Sequence, residues 1–163
     1  MAPFTLPGNG QRTGLFLAKA QRQVRLFVLK KWGGIAVMFS HIMIGTNDLE
    51  KAKAFYDALL GTLGVKPARV DGHRIFYRTK TGVFSVSKPI NGEPATHANG
   101  GTIGFAAESP EQADAWHAAG LANGATTCEN PPGIREGAAG KLYLAYLRDL
   151  DGNKICAMHR MAT

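Results

Sequence analysis

One pattern occurs twice in this chain. His41-Ile42-Met43-Ile44-Gly45 runs into Asn47-Asp48-Leu49-Glu50 and then the helical run Ala54-Phe55-Tyr56. About sixty residues later, Thr102-Ile103-Gly104-Phe105-Ala106 runs into Ser109-Pro110-Glu111-Gln112 and then Ala115-Trp116-His117. Each copy reads as a short apolar strand, a capped helix and further strands. A unit of this size cannot bury both faces of its own sheet, so two copies must pair, and the pairing implies a shared cleft.

In the first copy, Asn47 reads as the helix cap and Glu50, three positions on, as the partner in a capping box. Ala52, Phe55, Tyr56, Leu59, Leu60 and Leu63 recur at helical spacing and form one apolar stripe. Gly61 and Gly64 end it. Strands are predicted over 39–45, 66–70, 74–79 and 83–88, with Asp71-Gly72 as a hairpin signal. Residues 89–101, rich in Gly, Pro and Asn, divide the modules.

The second copy starts with a strand over 102–107. Ser109, Pro110 and Gln112 then mark a helix start, and the helix runs to about Asn123. A strand is predicted near 125–129, a Pro/Gly-rich loop able to lie over a site over 130–140, and a hairpin from 141–148 and 154–159. Both copies therefore read β-α-β-β-β. The fold class is α+β, with modules 38–98 and 100–160.

The formal net charge of +7 is misleading about the folded part. Residues 1–37 carry six basic side chains and no acid, whereas the rest carries 13 basic and 12 acidic side chains. A near-neutral globular part gives no nucleic-acid stripe. Residues 1–37 read as a basic extension outside the fold, with Met38 placed to serve as a start. A presequence for an organelle or a basic amphipathic helix on a membrane surface are the alternatives. No apolar run reaches the length of a membrane span. Cys128 and Cys156 without a secretory signal suggest free thiols in a reducing, cytoplasmic setting.

Three stretches carry a resemblance: 41–56, Gly104-Phe105-Ala106-Ala107, and Arg148-Asp149-Leu150-Asp151-Gly152-Asn153-Lys154-Ile155. With their spacing they span most of 38–160, and they resemble the vicinal oxygen chelate superfamily of glyoxalases, bleomycin-resistance proteins and ring-cleaving dioxygenases. The closing stretch is most similar to an uncharacterised glyoxalase-like branch that often carries Phe-His in its second helix, here Trp116-His117. The resemblance implies two βαβββ modules in an open, U-shaped, eight-stranded barrel-like sheet. It also implies a divalent metal inside the U, held by the first and last strands of each module, and homodimers are common in the family.

Carried over residue by residue, the metal positions fall on His41, on Ser85 or Ser87, on Thr102 and on Cys156. Only His41 is a strong ligand and Cys156 a soft one, whereas zinc sites use three or four. His41 otherwise reads as a polar residue lining the cleft, and Cys156 as a small buried hydrophobe. Asp149 and Asp151 read as turn-shaping residues, with Gly152 at positive φ. His117 and His159 read as structural and His73 as solvated. Arg135, in the Pro/Gly loop, is the candidate cation for an anionic ligand. Met43, Phe76, Phe84, Tyr146 and Met158 are the expected apolar walls.

Two functional readings follow from different classes. One is a glyoxalase/bleomycin-resistance-like protein that binds a small organic molecule between its modules without the usual metal, using His41, Ser85, Thr102, Arg135, Tyr146 and Cys156. The other is a metal-dependent lyase or isomerase with His41 as ligand or base. The two-His, one-carboxylate set of a ring-cleaving dioxygenase is not visible. A third reading, an interaction protein driven by the basic N-terminus, rests on 1–37 alone.

Overall fold

The structure, a computed structural model, describes residues 38–138 and 140–162. The readings of 1–37 lie outside the described residues. From Ser40 onward the chain forms one compact unit.

Module one consists of β1 (His41–Gly45), α1 (Leu49–Gly61), β2 (Arg69–Asp71), β3 (Arg74–Arg78) and β4 (Val83–Ser87). Its sheet order is β1-β4-β3-β2, with β1 parallel to β4 and the other pairs antiparallel. Module two consists of β5 (Ile103–Ala106), α2 (Pro110–Ala122), β6 (Thr126–Thr127), β7 (Gly133–Gly137), β8 (Gly140–Arg148) and β9 (Lys154–Arg160). Its order is β5-β9-β8-β6, with β7 also paired to β8. The fold is α+β with two βαβββ-like modules, and the sheets do not close.

Strand β7 is the main difference from the sequence expectation. The stretch 130–140, read as a covering loop, instead holds a ninth strand whose Ile134 and Arg135 sit opposite Tyr143 and Leu142. Its glycines and prolines bound the strand rather than abolish it. The strands expected over 66–70 and 125–129 shorten to Arg69–Asp71 and Thr126–Thr127. At the β2–β3 hairpin, Gly72 takes φ +57°, a conformation that suits a residue without Cβ.

The expected stripe on α1 is buried, with Ala52, Phe55, Tyr56, Leu59 and Leu60 in the core and Leu63 packed at its margin. The cap differs by one residue. Asp48, not Asn47, accepts the backbone N–H of Lys51 at 3.1 Å. Tertiary partners claim Asn47. Its Oδ1 accepts from Ala95 N (2.8 Å), and its Nδ2 donates to Ala95 O (3.1 Å) and Asp151 Oδ1 (2.8 Å). In α2 the cap is as read: Ser109 accepts from Gln112 N at 3.2 Å. The Gln112 side chain accepts from Glu108 N (2.7 Å) and donates to Thr62 O (3.1 Å), tying α2 to the end of α1.

One core serves both modules. A chain of rings runs Tyr77–Tyr56–Phe84–Phe105–Trp116, and it crosses between modules at Phe84–Phe105, whose centroids are 5.2 Å apart at 88°. Edge-to-face pairs of this kind add about 0.5–1.5 kcal/mol beyond burial. The strand residues that meet the helices alternate: Ile75 and Tyr77 on β3, Phe84 and Val86 on β4, Ala145 and Leu147 on β8, Ile155 and Ala157 on β9. Phe84, expected in the cleft wall, is thus a core residue, because the β4 alternation has the opposite phase.

The turn 149–153 fastens the modules. Tyr56 donates to Asp149 Oδ2 at 2.5 Å, Thr46 Oγ1 donates to Asp151 Oδ2 at 2.6 Å, and Asn47 N donates to Asp151 Oδ1 at 2.9 Å. Asp149 also accepts from Asp151 N and Asn153 N, the turn-shaping role expected of it. Gly152, at φ +83°, completes the turn, and a Cβ there would lie 2.8 Å from His97 Nδ1. The linker is therefore seated directly on the turn.

Candidate functional site

Alternation that turns one face of each sheet to the helices turns the other face into the open side of the U. On module one, this inward face carries His41 and Met43 of β1, Arg74, Phe76 and Arg78 of β3, and Ser85 and Ser87 of β4. On module two it carries Gly104 of β5, Leu144, Tyr146 and Arg148 of β8, and Lys154, Cys156 and Met158 of β9. Met43, Phe76, Tyr146 and Met158 therefore stand on the faces turned away from the helices.

The register reveals an internal equivalence. Phe76 pairs with Ser85 as Tyr146 pairs with Cys156, and Arg78 pairs with Val83 as Arg148 pairs with Lys154. Phe76 and Tyr146 are thus counterparts, as are Ser85 and Cys156. Thr102, one residue before β5, is the counterpart of His41.

The four positions differ in chemistry. His41 is exposed at the start of β1, and its Nδ1 lies 3.0 Å from Ser40 Oγ. Ser85 is fully buried and donates to Ile42 O at 3.1 Å, so its hydroxyl proton is committed to the neighbouring strand. Thr102 is exposed just before β5. Cys156 is buried, with Sγ 3.3 Å from Ala157 O. Burial pushes its thiol up to about 11, outweighing the opposing hydrogen bonds from Ala145 and Tyr146. At neutral pH it is a thiol, not a thiolate.

Tyr146 stands on the inward face with Lys154 Nζ 4.8 Å from its ring centroid. Lys154 in turn pairs with Glu129. Arg135 points its guanidinium back at its own segment, donating to Pro131 O (2.7 Å) and Ile134 O (3.2 Å). His117 is buried on α2, and desolvation lowers its pKa against the opposing pull of Asp114. His159 lies 3.0 Å from Ala107 O, where it braces the end of β5. A separate depression of about 590 Å³ lies at the start of α1, lined by Asn47, Asp48, Leu49, Glu50, Gly72, His73 and Lys88. Its Asp48 is already used as cap and in an ion pair with Lys51 at 3.1 Å.

The sequence profile of the Glyoxalase/Bleomycin resistance protein/Dioxygenase superfamily matches residues 38–157. The chain belongs to this superfamily. A glyoxalase/bleomycin resistance protein from Albidiferax ferrireducens T118 is 69% identical, with a TM-score of 0.74, over 76% of this chain and 99% of that one. A glyoxalase/bleomycin resistance protein/dioxygenase family enzyme from Burkholderia phytofirmans PsJN shares the fold at 18% identity and a TM-score of 0.58, covering 75% of this chain and 98% of its own. A lactoylglutathione lyase from Agrobacterium tumefaciens does so at 20% and 0.53, covering 76% and 94%. No curated protein matches the chain.

The superfamily's divalent metal does not fit the donors found at the four positions. One imidazole, one protonated thiol and two hydroxyls, one of them bound to a backbone carbonyl, fall short of the three or four His, Cys or carboxylate ligands of a zinc site. Among the described residues, no three His, Cys, Asp or Glu side chains converge on a point. No helix among them is long and apolar enough to cross a membrane.

Register was the signal missing from the sequence. The arginines at 74 and 78 bracket Phe76 on the inward face, and only strand pairing shows it.

Proposed function

We propose that this superfamily member binds a small organic molecule in the trough between its modules and does so without the family metal. The observation that carries the reading is the donor set at the four inherited positions: one exposed imidazole, two hydroxyls and a buried thiol whose pKa burial raises to about 11. A Lewis-acid mechanism needs deprotonated ligands that hold the cation firmly. An apolar floor with a few oriented polar groups suits an organic ligand instead. Phe76, Tyr146 and Met158 supply the apolar surface, and His41 and the thiol of Cys156 supply polar atoms at its edge.

Gly104 provides a clean test. It stands on the inward face beside Cys156, and a Cβ there would meet nothing within 4 Å. Gly104→Phe should therefore fill the trough without straining the fold. The wild-type chain, screened by thermal shift against a small-molecule library in metal-free buffer, should be stabilised by a subset of compounds, and Gly104→Phe should respond to none of that subset. Compounds that stabilise both proteins equally would place binding elsewhere and overturn the reading. Stoichiometric retention of Ni, Zn, Mn or Fe(II) that is lost in His41→Ala would overturn the metal-free part and restore the lyase or isomerase alternative.

A further inference from the structure

The inward face of module one gathers cations around a single ring. Arg69 of β2 pairs with Phe76 of β3, and Arg74 and Arg78 flank that ring along the same strand. Residues two apart on a strand share a face and stand about 7 Å apart, within the reach of an arginine side chain. The Arg78 guanidinium lies over the Phe76 ring, 5.1 Å from its centroid. Arg74 Nε is buried and has no hydrogen-bond partner among the described residues. Asp71 is the single acid among the strand residues of this sheet, and no ion pair joins it to any of these arginines among the described residues.

Module two holds the matching arrangement in a spent form. Tyr146 is the counterpart of Phe76, and Arg148 of Arg78. There Arg148 donates to Gly152 O at 2.8 Å, and the cation over the ring, Lys154, is paired with Glu129. Among the described residues, the cation over the module-two ring is thus ion-paired, whereas no ion pair joins an acid to the arginines around Phe76, although Asp71 lies opposite Arg74 in the register. A buried guanidinium N–H without an acceptor is costly, and an incoming anion would relieve that cost.

We propose that the ligand is a planar aromatic acid, its ring against Phe76 and its carboxylate held by the flanking Arg74 and Arg78. The carboxylate matches the fork of a guanidinium, and the ring replaces the cation now resting on Phe76. This assignment rests on the trough-binding reading above and adds the chemical class and the side of the trough.

Titration calorimetry on the full chain with 2-naphthoate, 2-naphthamide and inorganic phosphate tests it. 2-Naphthoate should bind about tenfold or more tightly than the neutral amide, as one charge-assisted contact implies, and should weaken with added salt. Arg78→Gln, at an exposed position where folding is not at stake, should shrink the preference for the acid over the amide. Phe76→Leu should weaken both ring compounds. Equal binding of acid and amide, or naphthoate binding indifferent to Arg78→Gln and Phe76→Leu, would overturn the aromatic-acid assignment. If that binding is still lost in Gly104→Phe, trough binding stands and only the ligand class falls. Phosphate that competes as well as naphthoate would show that the ring is not recognised. Naphthoate that fails to bind while other compounds do so in a Gly104-dependent way would likewise sink the class alone. Naphthoate binding equally to Gly104→Phe would remove both readings.

Discussion

Asp149→Ala should be among the most damaging single substitutions outside the apolar core. The carboxylate is almost fully buried and accepts from four donors: Tyr56 OH (2.5 Å), Asn153 Nδ2 (2.9 Å), Asn153 N (2.8 Å) and Asp151 N (3.0 Å). Alanine strands all four. A hydrogen bond to a charged group is worth about 1.5–3 kcal/mol, and each buried unsatisfied donor costs about 1–3 kcal/mol. Water can reach Asp151, so not every donor bears the full cost, and the net loss should be about 3–5 kcal/mol. Tyr56→Phe removes only one donor and leaves the carboxylate well satisfied, so it should cost about 1.5–2 kcal/mol. Combined with Asp149→Ala, it should cost almost nothing more, because the orphaned hydroxyl goes with it. The double-mutant cycle should then give a coupling of about 1.5–2 kcal/mol. Urea unfolding of the four proteins, with m unchanged, reads this directly. A loss under about 1 kcal/mol for Asp149→Ala, or additive single mutants, would refute the reasoning that this turn ties the modules together.

Gly120→Ala should destabilise although alanine is the better helix former by about 1 kcal/mol. A Cβ there would lie 2.3 Å from Leu147 Cδ1 and 3.1 Å from Leu59 Cδ1, so overpacking of about 1–3 kcal/mol should win in a chemical melt. Asp57 is held below its usual range: burial raises its pKa, but Lys53, the Ala68 N–H and Tyr77 together outweigh it. Its contribution is therefore present above the ordinary carboxylate range and lost as pH falls through the lowered folded value. Asp57→Asn should lower stability at pH 7, and the gap to wild type should close in acid; a gap that persists at pH 2 would contradict the sign. With its thiol at about 11, Cys156 should resist a disulfide reagent at pH 7 until the chain unfolds. Rapid native labelling at Cys156, mapped by mass spectrometry, would show a lowered rather than raised pKa.

Much of the fold was legible because its signals are local. The stripe Ala52-Phe55-Tyr56-Leu59-Leu60 needs only helical periodicity, and Ser109 with Gln112 needs only four residues of context. Asn47 shows where local logic stops. It has the chemistry of a cap, but Ala95 and Asp151, far along the chain, compete for the same amide and win, and Asp48 caps in its place. The ninth strand was missed for a related reason. Gly133–Gly137 has little strand propensity of its own and forms because β8 offers an open edge.

The sequence by itself determined the repeat and the two helices, which are written in contiguous spacing, and its resemblance to the superfamily marked the four inherited positions. It could not determine which face each strand turns to the trough. A shift of one residue in strand phase moves Phe84 from the core to the cleft and Ser85 the other way, and only pairing with β1 and β3 sets that phase. The contrast between Lys154, ion-paired with Glu129, and the arginines around Phe76, which have no ion pair among the described residues, belongs to the tertiary structure alone. It depends on which partners, distant in sequence, come within reach once the sheets have formed.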